Sequence, residues 1–170
     1  MDFLTLSKER YSCRAMSDKK VEQEKIEKIL EAAKLAPTAV NKQPFHIWFT
    51  DKEEDIEKIK QTTKMTFEAS LFFVVGAKAD EAWVRKYDGR NFADVDAAIA
   101  ATHMMMEIED LGLATTWVGH FDAPKFKELF PQCADYDLVA IFPVGYADES
   151  AKPAGLHFKR KEISELVDKL

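Results

Sequence analysis

Residues 71–77 read Leu-Phe-Phe-Val-Val-Gly-Ala, seven positions without a polar side chain. A strand with one wet face alternates apolar and polar residues, and an amphipathic helix repeats its apolar positions every three or four. An unbroken run of this length fits neither pattern, and it predicts a strand covered on both faces. Seven residues also fall far short of the roughly 18 needed to cross a bilayer. The chain must therefore place a layer on each side of a sheet, and its other segments must supply both layers.

With 170 residues, 46% of them hydrophobic, there is enough material for one such domain spanning residues 1–170. Ile26, Ile29, Leu30 and Ala33 fall on one face of a helix over about 22–35, which Pro37 terminates. A longer helix is predicted over about 92–111. Its apolar residues spread most of the way round, so it is buried in the protein or against a partner, and Gly112 supplies its left-handed end. Phe45, Ile47 and Phe49 alternate with His46, Trp48 and Thr50 in a further strand. Asp51 is placed as the cap of a charged helix running to about Thr62, and Asp2 as the cap of a short helix over 3–8. Residues 114–118 and 138–144 are predicted as buried strands, separated by a helix behind Asp122-Ala-Pro124. Pro143 argues for an edge or a strand terminus. The turn built from Ile163, Leu166, Val167 and Leu170 is too short to stand alone and must dock on something.

Charge and residue counts narrow the function. Thirty acidic against 24 basic residues give a net charge of −6, the wrong balance for a general nucleic-acid binder. The charged start MDFLTLSKERYSCR is unlike a signal peptide, and with no apolar span the expectation is a cytoplasmic protein away from membranes. Cys13 and Cys133 are read as separate thiols. His46, His103, His120 and His157 form no metal-ligand pattern, so no metal site is expected. His103 is expected in the packed core or at an interface, and Met104–Met106 as core filling. The six glycines, at 76, 89, 112, 119, 145 and 155, cannot form either common glycine-rich phosphate loop. Any bound phosphate must therefore be held by side chains or a helix end.

Arg10-Tyr11-Ser12-Cys13-Arg14 answers that requirement. In extended backbone residues 10, 12 and 14 share a side, so two guanidinium groups and a hydroxyl converge as a dianion requires. The same spacing also serves a solvated loop with surface arginines. A second segment, Ala36-Pro37-Thr38-Ala39-Val40-Asn41-Lys42-Gln43-Pro44-Phe45, brackets two amides between prolines. It either presents them to a flat heterocycle or simply covers a helix-to-strand turn.

APTAVNKQPF resembles the A-P-S-x-x-N-x-Q-P-W signature of the nitroreductase family, FMN-dependent NAD(P)H oxidoreductases. Asp96-Ala-Ala-Ile-Ala, followed by Gly112-Leu and Thr115-Thr-Trp-Val-Gly, is similar to that family's central helix and next strand. Arg10–Arg14 before them and Phe158-Lys159-Arg160-Lys161 after them complete the order. The resemblance implies an α+β fold, a mixed β-sheet flanked by helices, working as a homodimer with FMN at the subunit interface. It implies that Arg10, Ser12 and Arg14, with Arg160 and Lys159, hold the phosphate and ribityl chain, beside Tyr11. Pro37, Thr38, Ala39, Asn41 and Gln43 would reach the flavin of the other subunit. Trp117, Val118, Gly119 and His120 would lie at the ring, with the Gly119 and His120 N–H groups toward N5 and O4, and Lys64 would stand near O2. The implied reaction is ping-pong: a hydride from NAD(P)H, then electrons to a nitroaromatic, quinone or similar acceptor, with no obligatory catalytic side chain.

Three positions depart from the pattern: Thr38 for its serine, Phe45 for its tryptophan and His120 for its second glycine. His120 keeps open an FMN-binding module without turnover, and the same binding motifs also serve a specialised flavin enzyme, dehalogenase-like or flavin-fragmenting. Trp83, Arg85 and Tyr87 are either a residual lid or surface packing.

Overall fold

The computed structural model describes residues 2–170. Five α-helices occur among the described residues: α1 (Phe3–Glu9), α2 (Gln23–Lys34), α3 (Glu53–Lys60), α4 (Ala93–Asp110) and α5 (Ala123–Leu129). Four strands, β1 (Phe45–Thr50), β2 (Leu71–Ala77), β3 (Ala114–Thr115) and β4 (Asp137–Gly145), form one sheet in the order β1-β2-β4-β3. All three strand pairings are antiparallel, and a single parallel bridge, Ser12 to Thr115, adds the N-terminal segment. Among the described residues no helix is long and apolar enough to cross a membrane.

As its composition demands, β2 is buried at every position. Phe73 and Val75 face one core with Ile29, Met104 and Ile108 of α2 and α4. Phe72 and Val74 face the other with Ile59 of α3 and Phe126 of α5. Each fully buried phenylalanine contributes roughly 1.5–3 kcal/mol over its exposed state. Gly76 is required by close approach, since a Cβ there would sit 2.9 Å from the Trp48 ring and 3.0 Å from the Tyr136 Cβ. Trp48 points to the second core while Phe45 and Ile47 pack on the first, so both faces of β1 are covered in part.

Helix α4 ends as its sequence indicates. Gly112 sits at φ +69°, the Gly112 N–H donates to the Glu109 carbonyl (2.9 Å) and the Leu113 N–H to the Ile108 carbonyl (3.0 Å). Leu113 and Ile108 then meet in the core, which completes a Schellman motif. Asp122 caps α5, its Oδ1 accepting the Lys125 N–H at 3.0 Å.

Other expectations are corrected. Asp51 does not cap α3. The cap position is Lys52, whose N–H donates to the Thr50 hydroxyl, and that hydroxyl in turn donates to Asp55 Oδ2. The strand expected over 114–118 shrinks to two residues plus a bridge from Val118 to Ile141, and Pro143 is the cause. Val118 and Ile141 exchange both backbone bonds at 3.0 Å, so Thr116 and Pro143 are the next pair in hydrogen-bonding register. Pro143 has no N–H to give, and its carbonyl accepts the Thr115 hydroxyl instead (2.8 Å). Proline therefore sits within an interior strand, beside a neighbour too short to need its donor. His103 is exposed, which excludes the core and leaves the interface of its two expected settings, and Ile163, Leu166, Val167 and Leu170 are exposed as well. Cys13 and Cys133 are buried and unpaired. Trp83 packs edge-on against Phe92 and Arg85 pairs with Asp88, leaving Tyr87 in solvent.

Candidate functional site

Three bonds pin the N-terminal segment, two of them at Thr115 and Thr116 beside the sheet and one to the loop that precedes β2. The Cys13 N–H donates to the Thr115 carbonyl (3.0 Å), the Thr116 hydroxyl donates to the Cys13 carbonyl, and the Met16 N–H donates to the Phe67 carbonyl (3.1 Å). Pinned this way, Arg10, Ser12 and Arg14 line one cavity of about 240 Å³, which the far end of the chain completes with Ala154, Leu156, His157 and Arg160. Arg14 Nη1 donates to the Ser12 carbonyl at 3.2 Å, and Arg160 Nη1 to the Lys159 carbonyl at 3.2 Å. Among the described residues no carboxylate lies within salt-bridge distance of Arg10, Arg14 or Arg160. Three guanidinium groups and a hydroxyl around one small cavity, without a carboxylate partner, form a donor set suited to a dianionic phosphate.

Tyr11 backs this cavity, its ring edge-on to His157 at 6.3 Å. Burial, followed by the neighbouring Cys13 thiol, pushes the Tyr11 hydroxyl up to about 12, so it stays neutral beside the arginines. Glu109 is also pushed above its ordinary value by burial, while the Arg10 charge pulls it the other way. Lys159 is exposed and does not line the cavity. His157 does line it, and no spacing in the sequence marks that residue.

The chain leaves the bridge at Thr115 and reaches Gly119 four residues later, within about 13 Å. Trp117 and Val118 serve as pegs into the two cores. Trp117 meets the Phe142 ring edge-on at 5.0 Å, and Val118 is buried among the residues of the second core. Beyond them the backbone opens. The N–H groups of Gly119, His120 and Phe121 have no hydrogen-bond acceptor among the described residues, and a Cβ at Gly119 would meet nothing within 4 Å. The His120 carbonyl accepts the Thr63 hydroxyl (2.9 Å), and the Asp122 N–H donates to the Thr62 carbonyl (2.9 Å). Lys64 and His120 thereby line a second cavity of about 540 Å³. Consecutive free N–H groups beside open space can stabilise negative charge developing on a bound ring.

The loop after α2 stands apart. Val40, Asn41 and Gln43 adopt φ of +47°, +56° and +50°, the left-handed region, with no glycine among them. Such residues cost about 1–3 kcal/mol each and persist only where tethers hold them. Here the Gln43 N–H donates to the Thr38 hydroxyl (3.0 Å), the Asn41 N–H to the Thr38 carbonyl (3.0 Å), and the Ala39 N–H to Asp96 Oδ1 on α4 (2.9 Å). Pro37 sets the entry to this loop, and the Gln43 amide turns back onto the Asn41 carbonyl. The structure brings together the 10–14 and 160 group, and separately the 64 and 120 group. It holds the 37–43 group on α4.

An antiparallel four-stranded sheet with a long buried helix on one face, an arginine cavity made from both chain ends and a strained loop after α2 define a nitroreductase-type α+β domain. The chain belongs to the nitroreductase family: the model of the Nitroreductase family matches residues 7–70 and 61–146. A curated relative from Archaeoglobus fulgidus, whose name pairs NADH dehydrogenase with NAD(P)H nitroreductase, is 33% identical over 164 residues, 87% of this chain and 92% of its own. A nitroreductase family protein from Clostridium difficile 630 superposes with a TM-score of 0.91 at 36% identity, over 99% of this chain and 98% of its own. A protein from Exiguobacterium sibiricum, crystallised with FMN, shares the fold at a TM-score of 0.85 and 21% identity, over 100% of this chain and 98% of its own.

Proposed function

We propose that this protein is an FMN-dependent oxidoreductase that draws electrons from NAD(P)H and passes them to a small acceptor such as a quinone or nitroaromatic. The observation that carries this reading is the meeting of Arg10, Ser12, Arg14 and Arg160 around one carboxylate-free cavity in a chain of this family. The donor set fits the phosphate of FMN, and the open space at Gly119 suits close approach of a flat ring. FMN, when bound, supplies the hydride and electron transfer.

The protein's own groups have distinct tasks. The arginines and Ser12 neutralise and orient the phosphate. The free N–H groups at Gly119 and His120 stabilise negative charge on the ring, and Lys64 adds a cation on the same side. Neither GxGxxG nor another glycine-rich nucleotide loop is present to give NAD(P)H a place of its own. One site therefore serves donor and acceptor in turn, the ping-pong scheme. The working unit is a homodimer, supported by apolar side chains left in solvent. Phe3, Leu35, Val40, Leu156 and Ile163 are each at least two-thirds exposed, and a groove of about 470 Å³ between α1, α2 and α4 is lined by Phe3, Leu6, Ala32, His103 and Met106. The dimer lets the 37–43 loop of one subunit reach the flavin of the other.

Purified protein is expected to be yellow and to be bleached by NADH or NADPH without air. Yellow protein that neither nicotinamide bleaches reduces the function to flavin binding, and protein that cannot be loaded with FMN overturns the reading. Light scattering that shows a monomer with tightly held FMN overturns the shared site.

A further inference from the structure

Helix α4 buries a carboxylate that its own packing does not use. Asp96 is 1% exposed, in a helix whose buried face is otherwise mainly alanine, Met104 and Ile108. Its Oδ1 accepts the Ala39 N–H at 2.9 Å, and its Oδ2 has no hydrogen-bond partner among the described residues. A sealed carboxylate with one empty oxygen detracts from the stability of the helix that carries it. What it gains must therefore lie in the segment it holds.

That segment is the left-handed loop. Three of the four residues from Val40 to Gln43 have positive φ, and the conformation is kept by few ties from outside. These are Asp96 at Ala39 and the Lys42 ammonium on the Ala82 carbonyl (3.3 Å), with the Thr38 hydroxyl closing the loop on itself. Asp96 is the one that reaches the backbone from the buried core. The Asn41 side-chain amide makes no hydrogen bond among the described residues, and Val40 is 72% exposed, so the loop's strain presents both to the outside.

We infer that Asp96 is a positioning residue: by holding the Ala39 N–H from within α4, it keeps residues 38–43 in the left-handed shape that presents Asn41 to the flavin. The flavin half of this inference rests on the proposed function; the tether does not. An amide oxygen accepts the Ala39 N–H as a carboxylate does, so Asp96→Asn keeps the tether and Asp96→Ala removes it.

The test compares parent, Asp96→Asn and Asp96→Ala by amide hydrogen exchange of residues 37–44 in the flavin-free protein, by FMN titration, and by kcat and KM for NADH. Asp96→Ala is expected to speed exchange at Ala39 by at least about tenfold. It is also expected to weaken FMN binding or lower kcat by about tenfold, while Asp96→Asn stays within about threefold of the parent in each measurement. Unchanged exchange in Asp96→Ala overturns the tether. Faster exchange with parental FMN binding and kcat overturns the positioning role, and equal damage in Asp96→Asn shows that charge rather than the tether matters, which also overturns it. A parent that takes no FMN overturns the proposed function and with it the flavin half of this inference, and the exchange comparison still upholds or overturns the tether. Should Asp96→Ala not fold, Asp96→Ser, whose hydroxyl stops short of Ala39, takes its place.

Discussion

On the proposed function, replacing Arg14 with alanine should separate phosphate recognition from recognition of the flavin ring. Arg14 lines the cavity with Arg10, Ser12 and Arg160, and its guanidinium rests only on the Ser12 carbonyl at 3.2 Å. With no carboxylate to release, the charge is available to a ligand at little reorganisation cost. A charge-assisted hydrogen bond contributes about 1.5–3 kcal/mol. The cavity is open to water, so screening favours the lower end of that range. At about 1.4 kcal/mol per factor of ten, Arg14→Ala should raise the FMN dissociation constant roughly ten- to thirtyfold. The assay is quenching of flavin fluorescence at low and high salt, with riboflavin beside FMN. Riboflavin lacks the phosphate, so parent and variant should bind it alike, and the FMN gap should narrow with salt. An FMN constant within about twofold of the parent, or an equal loss for riboflavin, would refute the phosphate assignment.

Three further outcomes test the fold. Gly76→Ala drives a Cβ into the Trp48 ring and the Tyr136 Cβ, and it should cost about 1–3 kcal/mol in denaturant melts; a neutral result means that β1 can shift away. Val40→Gly removes a β-branched residue from φ +47° and should raise stability by roughly 0.5–1 kcal/mol, unless the loop is unstrained, in which case glycine's extra entropy makes the variant less stable. The Glu22 carboxyl is held down at about 2, first by the Tyr146 hydroxyl donating to it at 2.6 Å. Because the folded value lies below the ordinary 4.5, that contribution is complete above about pH 4.5 and fades as pH falls toward 2. The difference in melting temperature between parent and Tyr146→Phe should shrink over that interval, and a constant difference would contradict the linkage.

Elements whose causes are local were legible in the sequence. The Leu71–Ala77 run needs only its own composition to announce a doubly covered strand, and Gly112 and Asp122 act within a turn of the helix they punctuate. Asp51 does not cap α3 because Thr50, held at the end of β1, is the residue whose hydroxyl turns toward the Lys52 N–H. The shortened β3 follows from Pro143, which lies 27 residues beyond Thr116 and acts only once register is set. In the candidate site, the convergence of Arg10, Ser12 and Arg14 was legible from their alternate spacing in a short extended motif, whereas Arg160 entered only through the family resemblance. His157 and the Thr63 bond to His120 were not, since folding alone brings those pairs together. Asp96 was visible as a letter in a motif, but its bond to Ala39 spans 57 residues and has no spacing signature.

The cavity assembled from residues 10–14 and 154–160 has a mechanical consequence. Beyond the bridge from Ala147 to Met16, residues 148–170 form only two short 3₁₀ helices, and among the described residues no disulfide fastens them. On the proposed function, a dianion gripped by Arg14 on one side and Arg160 on the other would act as a removable clasp between the head and the tail of the polypeptide. By mass action a clasp present at a hundred times its dissociation constant adds about 2.7 kcal/mol to whatever opening it opposes. On the proposed function, resistance of the tail to a protease would then be set by cofactor concentration, and loss of the cofactor would free the tail before it disturbs the sheet.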